Sequence, residues 1–277
     1  MSFTPPTTVR GIKQVAKKIG PARGLTHKQA MDAIAHEIGY QNFRHAQNVL
    51  TAAVKQSRHE VYVTYRWRDR DLRTSGRETY RHELNRPIAE LVTPYQMGAA
   101  RDLAGFKLVA PDHIEQEITG HSQAYARREI LKAVRTLDFI EYTGLKPSKG
   151  HKKGYRNGRL GDMFPGIDHA HIWFDPVAKQ YIVVDEPYGP NERQADDRAA
   201  WARETGWEVL RSPWDGMYWP GGNTIMYLST DATKGYSLKR TIDALRRMPS
   251  PPLDTPWEGR SGPLSEPFIS PLSRPKV

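Results

Sequence analysis

The chain has no cysteine. That excludes a disulfide framework, a thiolate nucleophile and a zinc–thiolate site, and it suits a reducing compartment. Long apolar runs are missing too: no stretch approaches the roughly 18 residues of a membrane span, and Met1 to Thr8 have no apolar core of signal-peptide length. No P-loop, dinucleotide fingerprint or nucleophile elbow is present. These absences lead us to expect a soluble cytoplasmic protein with no membrane partner and no cofactor. Aromatic residues are not scarce. Seven Trp and thirteen Tyr supply packing surface that a disordered basic protein lacks, and 277 residues bury a substantial core.

Acidic charge is scarce in two places. Residues 1–58 carry 9 Lys/Arg against 2 Asp/Glu, and residues 116–160 carry 10 against 4, which together exceed the net +10 of the whole chain. Clustered cations favour a polyanion, because binding releases its condensed counterions.

Apolar spacing gives the fold class. Val9, Ile12, Val15, Ala16 and Ile19 recur at helical period. A second helix starts at a capping box, Thr26 with Gln29, and runs through Ile34 to Gly39, and a third follows Asn42 with Phe43, Ala46, Leu50 and Val54. From residue 59 the period falls to 2: Val61, Val63, Tyr65 and Trp67 predict a strand, Glu78 to Leu84 its hairpin partner. Helices are expected at 95–104, 122–140, 193–205 and 237–248. Strands are expected at 169–175, 181–186, 207–212 and 224–229. After residue 248, eight of the 21 prolines fall in 29 residues, so the tail is either extended and poorly ordered or wrapped on the body. The expectation is an α+β protein: a basic three-helix module over 1–58, a mixed α/β domain with a mainly antiparallel sheet over 59–248, and a Pro-rich tail over 249–277.

One run, Ala30-Met31-Asp32-Ala33-Ile34-Ala35-His36-Glu37-Ile38-Gly39-Tyr40-Gln41-Asn42-Phe43-Arg44-His45-Ala46, resembles the small glyoxalase-related helical module of bacterial and mobile-element proteins. With Thr143-Gly144-Leu145-Lys146-Pro147, Asp168-His169-Ala170-His171-Ile172-Trp173-Phe174-Asp175-Pro176 and Asp185-Glu186-Pro187-Tyr188, the longer arrangement resembles a bacterial family of unknown function that begins with that module. The resemblance covers most of residues 8–230. It implies a bacterial origin and carriage on mobile elements, and it supplies no catalytic residue.

Three sites follow from the residues. If the second and third helices form a helix-turn-helix, Arg44, His45, Gln47 and Asn48 reach base edges while Arg10, Lys13, Lys17 and Lys18 meet phosphates. The alternative is a docking module with a solvated charged face. The Gly-rich stretch 146–161, expected as a mobile loop, carries Lys149, Lys152, Lys153, Arg156 and Arg159. Beside it a helix face carries Arg128, Lys132 and Arg135, and Tyr155 or His151 is placed to stack on a base. Third, His169 and His171 share a face if both lie on one strand, and Asp185 or Glu186 across a hairpin completes a set that holds a divalent metal or does acid–base chemistry. A one-residue slip removes Asp185. Trp207, Trp214, Tyr218 and Trp219 before Pro220-Gly221-Gly222 form a stacking wall or a core. The leading expectation is a non-catalytic binder of DNA or RNA, or a ribonucleoprotein-associated protein. The alternatives are a metal-assisted hydrolase or nuclease, and an adaptor that binds a protein through the helical module or the Pro-rich tail.

Overall fold

A computed structural model describes residues 6, 9–48, 58–189 and 192–273. The protein is α+β, with helices and antiparallel sheet, and it divides between Arg58 and His59 into two compact units. No helix among the described residues is long and apolar enough to cross a membrane.

In the first unit, α1 (Val9–Ile19) packs on α2 (His27–Glu37), with a third helical segment, α3, at residues 43–48. Leu50 and Val54 of the expected third helix, and the side chain of Arg10, lie outside the described residues. The capping box at Thr26 forms in both directions: the Gln29 N–H donates to the Thr26 hydroxyl (3.3 Å) and the Thr26 N–H donates to Gln29 Oε1 (3.0 Å). Gly39, at φ 92°, turns the chain, and Asn42 caps the next segment by accepting from the His45 N–H at 2.8 Å. Asp32 of α2 accepts from the Phe43 N–H at 2.9 Å, tying α3 to α2 above a core of Ile12, Ile34, Ala35 and Ala46.

The second unit has two five-stranded sheets rather than the single one expected. The first contains β1 (His59–Asp69), β2 (Thr74–Leu84), β3 (Phe106–Ala110), β4 (His113–Thr119) and β10 (Arg260–Gly262), in the order β10-β2-β1-β4-β3. Among the described residues of this sheet only β1 and β4 pair in parallel. The second contains β5 (Lys146–Ser148), β6 (His171–Asp175), β7 (Gln180–Asp185), β8 (Trp207–Arg211) and β9 (Tyr227–Asp231), in the order β5-β6-β7-β9-β8, all antiparallel.

One long helix serves both sheets. α6 (Gln123–Thr143) starts at Ser122, whose hydroxyl accepts from the Tyr125 N–H, and stops at Gly144, φ 72°. Its Ala126, Ile130, Ala133, Val134 and Leu137 are fully buried in the same apolar cluster as Val61 and Val63 of β1 and Trp173, Ile182 and Val184 of the second sheet. Alternation along β6 and β7 sends Ile172 and Val183 to the opposite face, into a smaller cluster with Tyr155, Met163 and Phe164. That face is covered by the Gly-rich segment, including α7 (His151–Gly154), and by α8 (Glu192–Thr205). Two short helices, α4 (Ile88–Leu91) and α5 (Pro94–Ala99), and a later one, α9 (Lys239–Leu245), complete the unit.

The Pro-rich tail is wrapped on the body. Arg135 of α6 donates to the Pro252 carbonyl and the Asp254 carboxylate, both at 2.8 Å. Trp257 lies against Tyr80, β10 joins β2, and the Ser270 hydroxyl and Leu272 N–H donate to Asp112.

Candidate nucleic-acid interface

The Gly-rich stretch is folded, not the mobile loop expected from its composition. Its glycines allow close packing: at Gly154 a Cβ would stand 2.6 Å from Ile172 Cγ2, so only a residue without one lets α7 lie on β6. Tyr155, Met163 and Phe164 then anchor the segment to the sheet. Lys149, Lys152, Lys153 and Arg159 remain exposed. Basic side chains are thus held out on an apolar base, which a count of glycines and lysines cannot foresee.

This segment forms one wall of a cleft of about 660 Å³. Lys152, Lys153 and Arg156 line it together with Lys179 and Lys234 and the rings of Tyr181 and Trp207. Among the described residues Asp231 is the single carboxylate in the lining, and it is already bonded to Lys234 at 3.0 Å. Among the described residues Lys152, Lys153, Arg156 and Lys179 have no carboxylate partner, whereas exposed cations elsewhere in the unit commonly do: Arg81–Glu60, Lys107–Glu117, Lys239–Asp243 and Arg246–Asp243. A concentrated field in a concave site raises the local concentration of anions.

Sequence reasoning missed Lys179, Lys234 and Tyr181 as members of this site, and it singled out Trp207 only as part of a different aromatic wall. Nothing in the sequence marked the other three. Lys179 ends the four-residue turn between β6 and β7 at φ 56°, in the left-handed region where glycine or asparagine is the low-strain choice.

Of the other expected contacts, Lys13, Lys17, Lys18, Arg44, Gln47 and Asn48 are exposed on the first unit. Lys13 sits 5.8 Å from the Phe43 ring centroid. His45 is half-buried, its Nδ1 accepting from the Gln41 N–H at 3.2 Å.

The helix face of Arg128, Lys132 and Arg135 does not form a solvent-facing stripe. Arg128 is exposed. Lys132 pairs with Glu129 at 2.5 Å and lies over the Tyr218 ring. Arg135 is 1% exposed and clamps the tail; it has no surface from which to meet a phosphate. Tyr155, expected to stack on a base, is also buried, and His151 stands edge-on to it.

The histidine–carboxylate set separates in the fold. His169 precedes β6 at φ 53°, so it does not share the strand alternation of His171. Its ring stacks on Tyr218 at 3.9 Å. His171 faces Val184 in the register, which sends Asp185 to the other face, where Arg198 meets it at 2.6 Å. His171 Nε2 accepts from the Arg101 N–H at 2.7 Å, and burial lowers its pKa to about 4, so the ring is neutral at pH 7. Among the described residues no group of three or more His, Asp or Glu is placed to hold a metal ion. The aromatic wall separates as well: Trp214 is buried and donates to the Pro249 carbonyl, Trp207 lines the cleft, and Tyr218 and Trp219 gather around Tyr188.

Glu186, next to Asp185, is fully buried and accepts from the Met217 and Tyr218 N–H groups at 2.9 and 2.8 Å. Burial, reinforced by the nearby Asp102, pushes its pKa up to about 7 against the opposing pull of those N–H groups and of Arg101. Between about pH 4.5 and 7 the folded state therefore holds a proton that the unfolded chain has lost, and stability falls as pH rises through that window. Glu186→Gln removes this dependence. From pH 5 to pH 8 the variant should gain on the order of 3 kcal/mol relative to wild type, read as thermal unfolding of both proteins at the two pH values. A difference independent of pH would refute it.

No protein-family model matches this chain, and the comparisons with curated proteins and with solved structures found no match either.

Proposed function

We propose that this protein is a non-catalytic binder of nucleic acid, free or within a ribonucleoprotein of a bacterium or its mobile elements. Its grip on the phosphate backbone lies in the cleft of Lys152, Lys153, Arg156 and Lys179. The observation that carries the reading is the convergence of these four cations, without carboxylate partners, on one concave site of about 660 Å³. Phosphate contact of this kind supplies affinity without sequence information. The exposed Lys13, Lys17, Lys18, Arg44, Gln47 and Asn48 of the helical module provide a second, separate contact, with base reading by a helix-turn-helix as its finer form.

Two double variants test the assignment. Lys152→Glu with Lys153→Glu should weaken oligonucleotide binding at least tenfold at low salt and make the salt dependence shallower by about 2 in log–log slope. Lys17→Glu with Lys18→Glu should cost less. Unchanged affinity in the first variant would remove the cleft from consideration.

Lys179 offers a test in which two effects oppose. Its left-handed backbone costs roughly 1–2 kcal/mol, and glycine relieves that strain while adding about 0.5–1 kcal/mol of unfolded-state entropy. Lys179→Gly should therefore stabilise the fold by about 0.5–1 kcal/mol while weakening polyanion binding. A variant that is more stable and binds equally well would show that the lysine makes no contribution to polyanion binding.

A further inference from the structure

We propose that the cleft takes an unpaired nucleotide of a single strand, its phosphates on Lys152, Lys153 and Arg156 and its base against Tyr181 and Trp207. This rests on the polyanion reading above and narrows it to single-stranded nucleic acid.

The shape of the site comes first. A duplex is read by an element that projects into its groove, whereas this site is concave. Its volume of about 660 Å³ lies in the range of small-ligand pockets and suits one or two nucleotides.

The composition of the wall comes second. Lysines alone would suit any polyanion, but here two half-buried rings face the same site. Tyr181 is the second residue of β7 and Trp207 the first of β8, with β9 between them: the Thr230 hydroxyl donates to the Tyr181 carbonyl at 2.9 Å, and Trp207 pairs with Asp231. Three adjacent strands thus present both rings on the sheet face that carries α7. Each is set by a second ring, Tyr181 by Phe174 at 5.1 Å and Trp207 by Trp201 at 5.5 Å. Rings fixed beforehand lose little freedom when a base stacks on them, and stacking beside cations is how unpaired strands are held without sequence preference.

Third, the lining holds one strained backbone: Lys179 lies in the left-handed region at φ 56°, where a side chain other than asparagine or glycine costs energy, and such residues concentrate at binding sites.

The test uses the full chain and four probes at one salt concentration: a fluorescent thymidine octanucleotide, the same octanucleotide paired with its complement, heparin, and AMP as competitor. The single strand should bind at least tenfold more tightly than the duplex, a comparison that needs no variant. Trp207→Leu and Tyr181→Leu, each checked for an unchanged melting temperature, should weaken the single strand about tenfold and leave heparin binding unaltered. Equal binding of single strand and duplex, or aromatic variants that bind the single strand as wild type does, would overturn the stacking assignment while the polyanion reading stands. Failure of the octanucleotide and of heparin alike would overturn the reading beneath it. AMP competing as effectively as the octanucleotide per nucleotide would overturn the strand in favour of a free nucleotide.

Discussion

Arg198→Met should cost about 3–5 kcal/mol at pH 8, seen in urea denaturation and as a fall in Tm of roughly 10 °C or more. The guanidinium of Arg198 is held between the rings of Phe164 and Tyr227, at 4.5 and 4.4 Å. It bonds Asp185 at 2.6 Å and the Gly166 carbonyl at 2.7 Å, and neither member of the ion pair is more than 1% exposed. Methionine fills most of the volume but leaves the Asp185 carboxylate buried without its counter-charge. Burial already pushes that carboxyl up to about 6 despite the arginine. Without the arginine it should bind a proton more readily still, so the penalty should shrink toward pH 5. Arg198→Met combined with Asp185→Leu should recover most of the loss, because removing both charges also removes the cost of desolvating them. A loss below about 1 kcal/mol in the single variant would show that the pair is not stabilised by its apolar surroundings as described.

Arg135→Met should cost about 3 kcal/mol and free the tail. Its guanidinium holds the carbonyls of Pro252, Met217 and Tyr218 and the carboxylate of Asp254, so the variant leaves three backbone acceptors without their donor. Limited proteolysis should then cut between residues 249 and 262, where the wild type resists. Polyanion affinity should stay the same, because this charge does not face solvent. A parallel loss of affinity would restore Arg135 as a phosphate contact.

These two arginines mark where sequence reasoning stops. Helical period found α6, the capping box found α2, and short apolar runs bounded by prolines found β6 and β7, because each signal is local in the sequence. Arg135 falls on the same helix as Arg128, and nothing in its spacing says that it faces tail carbonyls more than a hundred residues away. β3 and β4 escaped notice because their burial comes from partners. β4 is a central strand that carries Glu115 and Glu117, which meet Arg66 and Lys107 on its two neighbours, so it has no simple apolar alternation. His169 left the strand for another reason. The Asp168 carbonyl and N–H already bond the end of β7, to the Glu186 N–H and the Asp185 carboxylate, and the chain then bends through a positive φ at a non-glycine residue, which alternation cannot register.

The basic segment was legible as charge and not as shape. Its lysines were evident from composition. That they would be set in a cleft with Lys179 and two aromatic rings depended on Gly154 closing against Ile172, and on a sheet order that brings the starts of β7 and β8 to either side of the end of β9.

The most direct measurement is the affinity of the full chain for a single-stranded oligonucleotide between 50 and 200 mM salt, beside a variant with Lys152, Lys153, Arg156 and Lys179 all changed to glutamine. Four phosphate contacts predict that wild-type affinity falls at least roughly 50-fold across that range, and that the variant binds far more weakly with a markedly flatter slope. Wild-type and variant curves that coincide would contradict the cleft as the seat of binding.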